Sequence, residues 1–117
     1  VKNFNITQNF GAPEELAYMQ RVLAGRKIDL GCLHVGDVRV LHMPGELFVE
    51  YQLAAQQMKT GSTICLAAYG DGGPGYIGTE IAYTPGGYEV EDRVSRVSPA
   101  VEKVLMQAIQ NLLSANA

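Results

Sequence analysis

The stretch I-D-L-G-C-L-H-V-G-D-V-R-V-L-H-M, residues Ile28–Met43, decides the fold because apolar and polar residues alternate on both sides of Val35-Gly36-Asp37. Alternation with a period of two predicts β-strands, and the glycine between them predicts the turn of a β-hairpin. Side chains of one parity are predicted to face the core, and most of those of the other parity to face water. The first set is Ile28, Leu30, Cys32, His34, Val38, Val40 and His42, and the second is Asp29, Gly31, Asp37 and Arg39.

Two helices are predicted on either side of this hairpin. Pro13 begins the first helix and Gly25 ends it. Pro44-Gly45 breaks the second strand of the hairpin, and the second helix then runs to about Lys59. The apolar stripes are Leu16, Met19 and Leu23 in the first helix, and Phe48, Tyr51, Ala55 and Met58 in the second.

A further strand and a last helix complete the pattern. Residues Ser62–Tyr69 are mostly apolar and predict a strand that is buried on both faces. Ser98 is the predicted cap of the last helix and Pro99 lies in its first turn. The apolar stripe of that helix is Val101, Val104, Leu105, Ala108, Ile109, Leu112 and Leu113.

These elements predict one domain over residues 1–117 with an α+β, α/β-like fold. Its sheet is expected to be mixed and to include the hairpin, with about three helices packed on it. Residues 1–10 are polar with isolated apolar positions, which predicts a loop or a short edge strand.

Composition argues against several classes of function. A net charge of −3 and the lack of a lysine and arginine cluster argue against a nucleic-acid partner. No apolar run approaches the ~20 residues of a transmembrane helix, so no transmembrane segment is expected. Cys32 and Cys65 lie in apolar runs and are predicted to be buried, reduced thiols, with a disulfide between them as the alternative. Because the 117 residues begin at Val1, the chain is expected to be a processed product or a fragment.

Chemistry is expected where two of the predicted strands end. Ligands of open α/β sheets bind beyond the carboxyl ends of strands. Met43 runs into Pro44-Gly45-Glu46, and Tyr69 runs into Gly70-Asp71, so Glu46 and the second loop share one rim if the strands are neighbours. At a helix start Glu46 would complement the helix dipole, or it could serve as a metal ligand or a general base.

The loop Gly70–Gly78 has five glycines and one proline in nine residues. Three interpretations stay open: a turn-rich surface loop, an active-site wall that carries Tyr76, or a backbone cradle for a phosphate or small molecule. It lacks the terminal Lys-Ser/Thr of a P-loop. Asp71 is either an acceptor within its own turn or a ligand. The residues assigned to the loop wall or to substrate contact are Asp71, Gly72, Gly73, Gly75 and Tyr83.

Few other residues suggest a catalytic or metal site. His34 and His42 are predicted to be buried structural histidines, too far apart along the hairpin to share one metal. The motifs H-E-x-x-H, C-x-x-C and G-x-S-x-G are absent from the sequence. A zinc site needs three or four convergent ligands, and the sequence offers Glu46 and Tyr76.

Three runs of this sequence resemble the neutral/alkaline, non-lysosomal ceramidase family. They are L-H-M-P-G-E-L-F-V-E-Y-Q-L-A, Y-G-D-G-G-P-G-Y-I-G-T-E-I-A-Y and G-G-Y-E. The resemblance covers roughly Ile28 to Leu113 and matches only the C-terminal part of the family's catalytic domain. The glycine loop with Asp71 is typical of the bacterial ceramidase-like branch, whose substrate is unassigned.

The resemblance implies a zinc amidase that hydrolyses the N-acyl bond of ceramide or of another N-acyl amide. It implies that Glu46 and Tyr76 are zinc ligands, and that two histidines and a catalytic serine come from sequence upstream of this chain. His34 and His42 do not match the family's histidine motifs. The chain is therefore expected to be the C-terminal portion of such a hydrolase, a fragment that is inactive by itself and holds zinc only in a complete site.

Two kinds of partner follow from that expectation. One is the missing upstream part of the catalytic domain together with a lipid-like or N-acyl amide substrate. The alternative is a non-catalytic binding or assembly module on the same scaffold, which would form a homo-oligomer through exposed apolar surface.

Overall fold

The computed structural model describes residues 13–71 and 73–115, so the loop or edge strand predicted for residues 1–10 lies outside the described residues. Within this range the three α-helices are α1 (Pro13–Leu23), α2 (Val49–Met58) and α3 (Val101–Ser114). The strands are β1 (Gly31–Val35), β2 (Val38–His42), β3 (Glu46–Leu47), β4 (Thr63–Ala67) and β5 (Tyr76–Ile77). Short 3₁₀ turns cover Glu80–Tyr83 and Tyr88–Val90. The α+β prediction, with a mixed sheet that includes a hairpin, is confirmed.

The main sheet has the strand order β1-β2-β4. Strands β1 and β2 form the predicted antiparallel hairpin, and β4 then joins β2 in parallel after the crossover through α2. The second sheet is the short parallel pair of β3 and β5. This topology places the ends of β2 and β4 at the same edge, where the chain continues into Pro44-Gly45 and into the glycine loop.

The predicted facing of side chains is confirmed in β1 and wrong in β2. A two-residue turn joins the strands, so Cys32 pairs with Leu41 and residues of opposite parity share a face. Leu41 is therefore fully buried, while His42 lies opposite Gly31 and is exposed. The prediction that His42 is a buried structural histidine is wrong for the same reason.

The core lies between one face of the main sheet and helices α2 and α3. Leu41 and Ile64 come from the sheet, Tyr51 and Ala55 from α2, and Ile109 from α3. Burial of such side chains contributes roughly 1.5–3 kcal/mol each for the larger ones. The stripe of α3 is buried at Leu105, Ile109 and Leu113, as its spacing predicts, and Val104 is exposed.

The other face of the main sheet is open among the described residues. Leu33 and Val35 of β1 are 62% and 57% exposed, and Cys65 of β4 is also exposed. Strand β4 is thus buried on one face only, and the prediction of a buried thiol is wrong for Cys65. Cys32, on the inner face, is half-buried, and both cysteines are free thiols.

Two predicted helix starts differ from the observed ones. Helix α3 begins at Val101, and Ala100 is at the cap position. Ser98 does not cap the helix with its hydroxyl; its carbonyl oxygen accepts a hydrogen bond from the amide of Val101. Helix α2 begins at Val49, because residues 46–47 form strand β3 first. Helix α1 spans the predicted residues, and the Gly25 that follows it has φ +69°. No helix in the described part of the chain is long and apolar enough to cross a membrane.

Candidate functional site

Glu46 and Tyr76, the two predicted metal ligands, lie opposite each other in the second sheet. They are register partners in the parallel pair β3–β5. The amide of Glu46 donates to the carbonyl oxygen of Gly75 at 2.9 Å, and the amide of Phe48 donates to that of Ile77 at 3.0 Å. Parallel partners direct their side chains to the same face of a sheet. The structure therefore brings the carboxylate and the phenol of this pair together.

The interpretation of Glu46 as an acid in the first turn of a helix is wrong. Helix α2 begins three residues later, and Glu50 is the acid in its first turn. A two-residue strand is a weak periodic signal, so the sequence pattern predicts that the Pro-Gly break leads straight into the helix.

Glycines let two loops pass within contact distance behind Glu46. Gly45 has φ +57°, and a Cβ there would lie 2.5 Å from the carbonyl oxygen of Gly75. A Cβ on Gly73 would lie 2.5 Å from the backbone of Gly45. Only glycine leaves room at these positions, because the closest neighbours are backbone atoms that cannot move aside. The backbone that approaches Gly45 is thus that of the glycine loop.

Tyr69 is a residue of this site that the sequence reasoning missed. Its hydroxyl donates a hydrogen bond to Oε2 of Glu46, and its amide donates to the carbonyl oxygen of Gly45 at 2.8 Å. Its φ of +59° lies in the left-handed region, which is unusual for an aromatic residue. The sequence placed Tyr69 at a strand end, but nothing in the spacing predicts a left-handed residue there.

The carboxylate of Glu46 affects both neighbouring phenols. The hydrogen bond to Glu46 is the main reason that the pKa of Tyr69 is raised to about 12. The negative charge of Glu46 is also the first cause of the raised pKa of Tyr76, followed by desolvation. Both phenols therefore stay protonated at neutral pH and can donate hydrogen bonds.

The ring of Tyr76 is held from its other side by aromatic contacts. It meets the ring of Tyr88 edge-on, with centroids 6.0 Å apart and an interplanar angle of 73°. The guanidinium of Arg93 lies 5.0 Å from the centroid of Tyr88. Edge-on ring pairs and cations over rings are both favourable arrangements, so they help to fix Tyr76.

Asp71 does not join Glu46 but holds helix α1 against the glycine loop. Its carboxylate accepts two hydrogen bonds from the guanidinium of Arg21, at 2.9 and 2.6 Å, and one from the amide of Asp29 at 3.1 Å. These bonds, that of Arg21 first, lower the pKa of Asp71 to about 2. Asp71 therefore does not accept hydrogen bonds within its own turn, as one interpretation predicts, but from residues that are distant in sequence. Both of its carboxylate oxygens already have donors.

A cleft of about 630 Å³ adjoins this site. Of the residues assigned to the loop wall, Asp71, Gly73 and Gly75 line it, and Gly72 lies outside the described residues. Tyr83 does not line the cleft, and its hydroxyl is hydrogen-bonded to Oγ of Ser95 at 3.0 Å. The cleft is therefore formed by part of the predicted wall together with residues of α1.

Two amides of the glycine loop, those of Gly70 and Tyr76, do not support the interpretation of the loop as a phosphate cradle. The amide of Gly70 donates to the carbonyl oxygen of Met43 at 2.8 Å, and that of Tyr76 to the carbonyl oxygen of Val94 at 3.1 Å. Amides that already have carbonyl partners are not available to an anion.

The described residues do not complete a zinc site. Over residues 13–71 and 73–115 no three His, Cys, Asp or Glu side chains are grouped to hold a metal ion. Glu46 and the phenols of Tyr69 and Tyr76 give one carboxylate and two neutral oxygen donors, whereas zinc is held by three or four nitrogen, sulfur or carboxylate ligands. His42 lies against Gly70, where a Cβ would be 2.0 Å from its ring, and His34 lies in β1 opposite Arg39.

Comparisons with models of known protein families, with curated proteins and with solved structures found no match to this chain.

Proposed function

We propose that this chain contributes the carboxylate–phenol part of the active site of a ceramidase-like, zinc-dependent amide hydrolase. Its substrate would be an N-acyl amide or a ceramide-like lipid, and the chain by itself would be inactive. The observation that carries the proposal is the register pairing of Glu46 with Tyr76 across β3 and β5. The two residues come from motifs 30 positions apart in the sequence, and the resemblance assigns both to one metal.

The reaction is the addition of water to an amide. The oxygen of water forms a bond to the acyl carbon, the carbon–nitrogen bond breaks, and the leaving nitrogen takes up the proton that water gives up. Glu46 and Tyr76 would hold a zinc ion together with ligands from elsewhere, and the bound ion would lower the pKa of water and polarise the carbonyl group. Since the described residues do not complete a zinc site, the remaining ligands would come from the upstream segment that the resemblance implies.

The residues of this chain have roles that do not depend on the metal. Tyr69 fixes the orientation of the Glu46 carboxylate through its hydroxyl. Tyr88 and Arg93 fix the ring of Tyr76. The Arg21–Asp71 pair fixes the start of the glycine loop, which follows Tyr69 and carries Tyr76. Preorganisation of this kind is what an active site needs from its scaffold.

The decisive experiment uses the coding sequence upstream of Val1. The longer protein is expressed, its zinc content is measured, and cleavage of a fluorogenic N-acyl amide is followed. We expect about one zinc per chain, with Glu46→Gln lowering both zinc content and activity by at least tenfold. Glu50→Gln is the matched control, because Glu50 is an exposed acid in the first turn of α2.

Two outcomes would contradict different parts of this proposal. A longer protein that contains no paired histidines, or that binds no zinc, would overturn the hydrolase proposal. Zinc-dependent cleavage by the 117-residue chain alone, lost in Glu46→Ala, would show instead that the isolated chain is an enzyme.

The alternative function, a non-catalytic binding or assembly module, is favoured by one observation. Among the described residues the outer face of the main sheet exposes Leu33, Val35 and Cys65, and α1 exposes Leu23. Apolar surface of this kind favours association. Gel filtration of the chain distinguishes the two, since a stable monomer at micromolar concentration argues against an assembly module.

A further inference from the structure

Helix α1 forms one wall of the cleft beside Glu46. The cleft of about 630 Å³ lies between α1, the glycine loop and residues 94–96. Tyr69 also lines it and donates its hydroxyl to Glu46. The residues that α1 contributes are Ala17, Tyr18 and Arg21. The position of α1 therefore determines how much of the cleft, and of Tyr69 within it, is open to solvent.

Helix α1 differs from α2 and α3 in how little of it is buried. Of its described side chains, which are those of Pro13 and residues 16–23, none is fully buried and none belongs to the hydrophobic core. Leu16, Val22 and Leu23 are exposed. Segments with few buried apolar contacts open at a lower free energy than the core does. A helix of 11 residues is also marginal in water once it is undocked, so α1 is expected to open independently of the core.

The chain that follows α1 has the properties of a hinge. The amide of Gly25 donates to the carbonyl oxygen of Val22 at 2.9 Å, and the amide of Arg26 donates to that of Arg21 at 3.1 Å, which ends the helix in a Schellman motif. A Cβ on Gly25 would meet nothing within 4 Å. Residues 22–27 are all exposed, and residues 26–30 lie in no helix or strand. Hinges are made of a few residues at the ends of elements, as these are.

A specific contact holds α1 in place over the cleft. The guanidinium of Arg21 donates to both carboxylate oxygens of Asp71, at 2.9 and 2.6 Å, and to the carbonyl oxygen of that residue at 3.1 Å. The two side chains are 33% and 29% exposed, so the ion pair is weakened by water and screened by salt. The contact therefore fixes the direction of α1 and can still be broken without disturbing the core.

We infer that α1 is a hinged lid over this cleft, turning about residues 24–27 and held shut by the ion pair of Arg21 and Asp71. When the pair breaks, Ala17 and Tyr18 leave the cleft with the rest of the helix, and the cleft opens towards Tyr69. Asp71 keeps the amide of Asp29 as a donor in the open form, so its carboxylate stays in place for the guanidinium to return. The inference concerns access to the cleft and does not depend on the proposed hydrolase.

The first test measures the opening of α1 by hydrogen–deuterium exchange of the 117-residue chain. Arg21→Gln is expected to speed the exchange of amides in residues 16–23 at least about fivefold, and to speed that of α3 much less. Raising the salt from about 0.05 to 0.5 M is expected to act in the same direction on the wild type. Arg26→Gln is the matched control, because it removes the same charge from an exposed position just after the helix.

Two results of this test would overturn the inference. If exchange in α1 is the same in Arg21→Gln as in the wild type, the ion pair does not hold the helix. If exchange in α1 and α3 rises by the same factor, the pair stabilises the whole fold and α1 does not open by itself.

The second test measures access to the cleft, which a merely structural ion pair would not change. Val94 lines the cleft and is half-buried, so Val94→Cys places a thiol on the wall that α1 covers. With a bulky maleimide dye, position 94 is expected to react at least about fivefold faster when Arg21→Gln is added. Cys65 is exposed on the main sheet and is the internal control, whose rate is expected to stay the same. Mass spectrometry of peptides separates the two thiols, and equal rates at position 94 with and without Arg21→Gln would show that α1 is not a lid.

Discussion

The main sheet with α2 and α3 and the small β3–β5 sheet with its glycine loop are stabilised in different ways. In the first, apolar side chains such as Leu41 and Ile109 are fully buried. In the second, backbone hydrogen bonds and an ion pair hold residues in unfavourable backbone conformations, with Tyr69 at φ +59° and Asp71 at φ +54°. Strained positions persist only where surrounding contacts enforce them. The second region shares the core through Ile77 of β5, but it depends on these specific polar contacts to position Glu46 and Tyr76.

The largest expected effect tests whether stability resides in the first region. Leu41→Ala removes a fully buried side chain and is expected to lower the free energy of unfolding by about 2–5 kcal/mol. Leu33→Ala, on the open face of the same sheet at 62% exposure, is expected to change it by less than about 0.5 kcal/mol. Urea unfolding of both variants measures the difference. Similar losses would mean that the outer face is covered too.

The next effect tests the close packing of backbones in the second region. Gly75 has φ +79°, and a Cβ there would lie 2.0 Å from the carbonyl oxygen of Val94. Gly75→Ala is therefore expected to lower the free energy of unfolding by about 3 kcal/mol, from backbone strain and the steric clash together.

Gly36→Ala is the matched control for this prediction. Gly36 has φ +61°, but a Cβ there would meet nothing within 4 Å. We expect a loss of about 1 kcal/mol from strain alone. Urea unfolding could show that Gly75→Ala and Gly36→Ala lower the free energy of unfolding by the same amount. The close approach of the glycine loop to residues 94–95 would then not limit the side chain at position 75.

The first region could be predicted from the sequence because its interactions are periodic. The hairpin and the stripe of α3 both follow from local spacing. The facing of β2 could not be predicted by counting parity through the turn, since a two-residue turn transfers Leu41 rather than His42 to the inner face. The exposure of Cys65 also escaped prediction, because the sequence does not say which faces of a sheet its helices cover.

The second region could be predicted only in part because its contacts are distant in sequence. The rule that ligands gather at strand ends predicts that Glu46 and the loop with Tyr76 share one rim if the two strands are neighbours. The partner of Asp71, however, is Arg21, 50 residues away, and no spacing rule connects them. Tyr69 was missed because its role depends on a left-handed backbone, which sequence patterns assign to glycine.

A smaller effect tests the ion pair that holds α1 to this region. The pKa of Asp71 is lowered from 3.8 to about 2, so its contribution to stability is complete above pH 3.8 and is lost as the pH falls towards 2. Asp71→Asn is expected to be less stable than the wild type at pH 7, and the gap is expected to close between pH 3.8 and 2.

Thermal unfolding across this pH range measures the gap. Asp37→Asn is the control, because Asp37 is an exposed residue in the hairpin turn and asparagine suits a turn equally well. A gap between wild type and Asp71→Asn that stays constant down to pH 2 would mean that the carboxylate is not ionised against Arg21.

The smallest effect concerns the charge at the centre of the second region. Glu46→Gln keeps an oxygen that can accept from Tyr69 but removes the negative charge that both phenols face. The pKa of Tyr69 is then expected to fall from about 12 towards 10, and that of Tyr76 to fall as well. In the wild type the unfolded chain ionises first, so stability falls as the pH rises from 10 to 12, and the variant should lose less over this range.

Nuclear magnetic resonance of tyrosines labelled at Cζ follows each phenol separately, with Glu50→Gln as a control that leaves both unchanged. If the pKa values of Tyr69 and Tyr76 are the same in Glu46→Gln as in the wild type, the Glu46 charge does not act on either phenol. The second region would then be a strained loop without a site.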